Sequence, residues 1–213
     1  MSRFALVLLC FSLASCTELY YKAQEKIGNE KRDILVDRIK KGREDQEKAK
    51  EQYKTTLEAF QAATGFKGGQ TEEVYKKLKK SYDEAAGRTK TVSDRITSIE
   101  QVSSDMFSEW EKELSGMKNG ELRNKSNVML KATRRRYTEL LRKMKAVEAK
   151  AKPVVKAFDD QVLFIKHNLN AEAITSLKSN VIKMDADVQI LIRDIEISMK
   201  EADAFIASLP PGS

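Results

Sequence analysis

Along most of this chain apolar side chains return alternately three and four positions apart, the spacing that keeps them on one side of an α-helix. One run reads Leu78, Tyr82, Ala85, Thr89, Val92, Ile96, Ile99, Ser103, Met106, Trp110. A second is Tyr137, Leu140, Met144, Val147, Ala151, Val154, Phe158, Val162, and a third is Ile174, Leu177, Val181, Met184, Val188, Leu191, Ile195. Sustained alternation of this kind predicts seams between helices packed as in a coiled coil. The run nearest the start of the chain keeps the same register with small or polar members: Ile39, Gly42, Gln46, Ala49, Tyr53, Thr56, Phe60 and Ala63. With so little apolar bulk, that helix is expected to be the loosest or most peripheral.

Turn formers cut the chain into four segments of similar length, about 18–63, 71–114, 121–167 and 171–208. Gly65-Phe66-Lys67-Gly68-Gly69 ends the first, Ser115-Gly116-Met117-Lys118-Asn119-Gly120 the second, Asn168-Leu169-Asn170 the third, and Pro210-Pro211 the fourth. Asn170 suits an N-cap, and Thr71 with Glu72 and Glu73 suits a helix start, where carboxylates meet the positive end of the dipole. Helices of roughly 45 residues at 1.5 Å each are on the order of 65 Å long. Short connections force neighbours to run antiparallel. The expected fold is therefore all-α, an elongated antiparallel bundle of about four long helices occupying 30–209, with a disordered tail at 210–213. Three features interrupt the pattern. Gly28-Asn29 separates a short leading segment, Gly87 weakens the second helix, and Pro153 removes a hydrogen bond inside the third and should kink it.

Composition agrees with long helices: 33% of residues are charged and there are only nine Gly and three Pro. The start of the chain has a different character. Arg3 precedes an apolar stretch at 4–13 that is too short to span a bilayer, as in an export signal. Leu13-Ala14-Ser15-Cys16 resembles the bacterial lipobox, in which small residues precede a cysteine that becomes acylated before cleavage. The resemblance implies a signal peptide at 1–15, lipidation of Cys16, and a lipid-anchored segment at 16–29. Two or more acyl chains hold a protein firmly on a membrane. Thr17 stands where Asp would retain such a protein in the inner membrane, so the expected place is the periplasmic face of the outer membrane. Tyr20 and Tyr21 either sit at the lipid headgroups or begin the first helix. Cys10 falls within the leader, so no disulfide is expected.

The inventory offers little to a catalyst. His167 is the only histidine and falls at the end of the third helix, where an imidazolium complements the dipole. No Cys/His cluster has metal spacing, no G-x-S-x-G is present, and Gly65, Gly68 and Gly69 lack the Lys-Ser/Thr of a phosphate loop. Asp159 and Asp160 point about 100° apart on a helix and read as surface charges. No enzyme activity and no cofactor is expected.

Charge placement is the exception to this blandness. Residues 121–156 hold twelve Lys and Arg against three Glu. In the heptad frame of Tyr137 and Leu140, Lys131, Arg135, Arg142, Lys145, Lys152 and Lys156 take the outward b and f positions, and Arg136, Lys143 and Lys150 flank them at g. Such a stripe suits phosphate headgroups, anionic cell-wall polymer or an acidic protein. It suits still better pairing with carboxylates of neighbouring helices, Glu100, Asp105, Glu109, Glu111 and Glu113 late in the second and Asp185, Asp187, Asp194, Glu196, Glu201 and Asp203 in the fourth. Nucleic acid is not expected as a partner of an exported protein.

Three stretches resemble the uncharacterised bacterial domain-of-unknown-function family 2959. They are Lys31-Arg32-Asp33-Ile34-Leu35-Val36-Asp37-Arg38, Arg134-Arg135-Arg136-Tyr137, and Asp160-Gln161-Val162-Leu163 continuing through Lys166-His167-Asn168-Leu169-Asn170-Ala171. The resemblance implies an exported, helical, lipid-anchored protein and brings no catalytic residues. The functional expectation is a non-enzymatic scaffold or interaction protein of the cell envelope. The alternative is a basic holdase or adaptor that binds envelope proteins, anionic lipid or cell-wall polymer. Oligomeric state is left open.

Overall fold

The computed structural model describes residues 31–209. The expected leader at 1–15, Cys16, the segment at 16–29 with Gly28-Asn29, and the expected tail at 210–213 lie outside the described residues. The described chain forms α1 (Lys31–Ala63), α2 (Thr71–Gly116), α3 (Gly120–His167), a short α4 (Ala171–Ser176) and α5 (Lys178–Ser208), with no strand among the described residues. Helix α1 packs on α2 and α5, and α3 packs on the same two, so the four long helices close a ring with α1 and α3 on one diagonal. Successive helices alternate in direction. At about 1.5 Å per residue, the 46 residues of α2 and 48 of α3 make rods about 70 Å long.

Every position of the four seams read from the periodicity is buried or partly buried. Phe60 and Phe158 lie at the centre with no exposure, their rings stacked across the diagonal at 5.4 Å and 15°. Towards one end, Tyr137 of α3 meets Phe107 of α2 at 5.6 Å and Phe205 of α5 at 6.2 Å, both edge-on.

Helix α1 corrects the expectation of a loose, peripheral first helix. Ile34, Leu35, Ile39, Ala49, Tyr53, Leu57 and Phe60 are all buried within it. Its small and polar members mark close approach rather than weak packing. A Cβ on Gly42 would stand 3.0 Å from Ile99 Cδ1 and 3.1 Å from Met144 Cε, so a larger residue would have to push both aside. Gln46 donates to the Ser198 hydroxyl (3.1 Å), and the Tyr53 hydroxyl bonds Thr89 (2.7 Å), tying α1 to α5 and α2 through polar atoms inside the core. Polar seam positions therefore join the packing when a partner satisfies them.

The helix ends follow local chemistry. Asn119 accepts hydrogen bonds from the backbone N–H groups of Glu121 and Leu122, and Asn170 from that of Ala173, so both act as N-caps. The α1–α2 loop turns through Gly68 (φ 111°) and Gly69 (φ 127°), a left-handed backbone that side chains resist. The fourth segment is not one helix, because α4 and α5 meet at Leu177. Just before that joint the Thr175 and Ser176 hydroxyls donate to the carbonyls of Glu172 and Ala173, competing with the regular ladder. Leu177 itself stays buried, so the core runs on past the irregularity. Helix α3 is continuous through Pro153. Pro153 and Ala149, whose carbonyl loses its partner, are both exposed, which leaves that carbonyl to water.

Candidate functional site

All six outward positions of the basic stripe, Lys131, Arg135, Arg142, Lys145, Lys152 and Lys156, are exposed on α3. Among the flanking residues Arg136 and Lys150 are exposed and Lys143 is half-buried. The heptad frame thus places the stripe correctly on the outer surface.

Its cations divide into two groups. From Arg142 onward each finds a carboxylate. Arg142 and Lys143 share Glu139, Lys152 pairs with Glu148 (3.0 Å), and Lys156 bridges Asp159 (3.1 Å) and Asp160 (2.7 Å), all within α3. Two reach other helices: Lys145 meets Glu100 of α2 at 2.5 Å, and Lys150 meets Asp194 of α5. The carboxylates respond. A hydrogen bond from Arg142 lowers Glu139, and hydrogen bonds from Ser93 and Lys152 lower Glu148. Exposed pairs of this kind contribute about 0–1 kcal/mol each, so they neutralise the surface more than they hold the fold.

The other group lies earlier on α3. Lys131 and Arg135 have no carboxylate partner among the described residues, and Arg136 reaches only the carbonyl of Ser208 at 3.5 Å. Arg134, beside them, turns inward to Glu111 at 2.7 Å and lies 4.9 Å from the Phe107 ring. Internal pairing therefore accounts for the later two thirds of the stripe and leaves its beginning free.

Nothing else gathers chemistry. Among the described residues no group of three or more His, Cys, Asp or Glu is placed to hold a metal, and no helix is long and apolar enough to cross a membrane. His167 is exposed at the end of α3. A cavity of about 10 Å³ beside Gln46, Tyr53 and Ile195 has room for at most one water. An open groove between α2 and α3 runs past Tyr82, Lys90, Lys152 and Asp159, with its charges paired.

The periodicity did not single out Leu122, Val128 and Met129, which are 56%, 68% and 48% exposed at the start of α3. Their signal lies in the same heptad frame. Leu122 and Met129 continue the g line of Arg136, Lys143 and Lys150, and Val128 continues the f line of Arg135 and Arg142. Lines that are basic further along become apolar here.

Fold and surface together define an elongated antiparallel four-helix bundle with a partly neutralised basic face. Residues 20–209 match the family described as Protein of unknown function (DUF2959), and the chain belongs to that family. No curated protein and no solved structure matched the chain.

Proposed function

We propose that this protein is a tethered scaffold of the cell envelope, held to a membrane by lipid on Cys16 and engaging an anionic envelope component through the unneutralised beginning of the α3 stripe. The observation that carries the reading is the split in that stripe. Cations from Arg142 onward meet carboxylates, whereas Lys131 and Arg135 stay exposed without one. A surface evolved only for internal pairing has no use for free cations gathered on one face, and a basic patch is the electrostatic footprint of an anionic partner. The lipobox-like Leu13-Ala14-Ser15-Cys16 supplies the address. The protein acts by position and surface, without chemistry of its own.

Photo-crosslinking in cells tests the interaction. With a photoreactive residue at exposed Thr138, the native stripe yields a discrete adduct. Lys131→Glu, Arg135→Glu and Arg136→Glu together reduce it to background while the melting temperature holds. An adduct indifferent to those charges contradicts the proposal.

A holdase is the second reading, supported by Ile182, Ile190 and Ile197, which are 67%, 41% and 47% exposed along α5. It requires those residues for suppressing aggregation of unfolded envelope proteins, which the scaffold reading does not.

A further inference from the structure

Among the described residues, the α2–α3 hairpin outruns its neighbours. Lys31, where the described part of α1 begins, pairs with Glu109, and α2 continues about two turns beyond that level to Gly116. On the other side α5 ends at Ser208, opposite Arg136, so residues 120–135 of α3 have no α5 beside them. The g line of α3 is the side that α5 covers further down, where Lys150 meets Asp194. Past Ser208 this same line carries Leu122 and Met129, both exposed and without a helix beside them among the described residues.

The overhang is a built structure. Leu114 and Leu130 are buried within it, and Trp110 Nε1–H donates to the Ser126 hydroxyl at 2.9 Å. Its surface is apolar and cationic at once. Residues 122–138 contain six Lys and Arg and no acidic residue. Across on α2, Glu111 is taken by Arg134, and Glu113 is the nearest further carboxylate in sequence. The described chain begins α1 at Lys31, at this same end of the bundle.

We infer that the α2–α3 hairpin is a membrane-contact site, seating Leu122, Val128 and Met129 at the headgroup boundary of an anionic bilayer while Lys131, Arg135 and Arg136 bind lipid phosphates. Apolar side chains interleaved with Lys and Arg bind interfaces by buried area plus attraction to anionic lipid. Lys125 and Arg134 are paired with Glu121 and Glu111, and charge still selects this occupant over a second copy, which would bring the same Arg123, Lys131, Arg135 and Arg136 against the first. The inference rests on the tethered reading for the identity of the membrane. Its consequence is orientation: a hairpin contact in addition to lipid on Cys16 limits how freely the rod pivots on its tether.

Trp110, the only tryptophan, reports on the hairpin. The full-length acylated protein is reconstituted into vesicles of phosphatidylcholine, with or without phosphatidylglycerol, carrying a headgroup-nitroxide lipid. Quenching of Trp110 is expected with phosphatidylglycerol, and falls to the neutral-lipid level in Leu122→Gln/Met129→Gln and in Lys131→Glu/Arg135→Glu. Equal quenching in both lipids overturns the inference. So does a loss of lipid-free thermal stability in the Leu122→Gln/Met129→Gln variant, which would show the line covered by the chain's own residues or another copy. Flotation separates the two readings. Protein that floats with vesicles unquenched refutes the contact site and leaves the tether, and protein that does not float refutes both.

Discussion

Replacing Phe158 with alanine is expected to lower unfolding free energy by about 3–5 kcal/mol, the range for truncating a buried phenylalanine. Phe158 has no exposed surface and stacks on Phe60 across the bundle's diagonal, so the ring bridges two helices that share few other contacts. Truncation leaves a void beneath Phe60, and long rods cannot collapse inward there without disturbing the adjacent seams. Small domains are stable by only about 5–15 kcal/mol, so the variant should sit near its unfolding midpoint at low urea. Phe158→Leu retains most of the volume and should cost far less. Urea unfolding followed by circular dichroism measures both. A loss under about 1 kcal/mol for the alanine variant would place the ring outside the core.

The second large effect is at high pH. Burial pushes the Tyr137 phenol from the ordinary 10.0 up to about 12, with Glu100 adding to the rise and Ser103 opposing it. An unfolded Tyr137 gives up its proton as pH passes 10.0, whereas the folded one keeps it to about 12. The native state then holds more protons than the unfolded one, so stability present below the lower value falls as pH rises through this window. At about 1.36 kcal/mol per pH unit, the loss is about 3 kcal/mol. Tyr137→Phe removes this loss. At neutral pH it also removes a buried hydroxyl that makes no well-formed hydrogen bond, with only Ser103 close by, which should raise stability by up to about 1 kcal/mol. Unfolding curves for the two proteins at neutral pH and across the alkaline window check both. Parallel alkaline losses would mean that the phenol is open to water.

The seam residues were legible because a heptad frame needs only sequence spacing. Leu140, Met144, Val188 and Ile195 are buried where the spacing puts them. The frame also oriented the outer face of α3 correctly. What it could not weigh was the first seam. Gly42, Gln46 and Thr56 look like gaps in an apolar line, yet they are sites of close approach and internal hydrogen bonding whose partners lie on other helices. Spacing within one helix carries no information about those partners. The Leu177 joint was hidden for a related reason: the apolar register passes straight through it, and only the hydroxyls of Thr175 and Ser176 betray the break.

The stripe shows the same division. Its exposure follows from the frame, but which cations are neutralised depends on how far each neighbour extends. Lys150 has Asp194 because α5 lies beside it. Lys131 precedes the level at which α5 stops and has none. Helix ends in space, rather than composition, decide where free charge and bare apolar surface coincide.

The proposed tether at Cys16 sets where the protein would act, and metabolic labelling with an alkyne fatty acid, read alongside membrane fractionation, tests it. Wild-type protein should take up label and sediment with membranes, and Cys16→Ser should lose the label and its stable membrane retention. Unlabelled wild-type protein, or a Cys16→Ser variant that keeps its label, would contradict it.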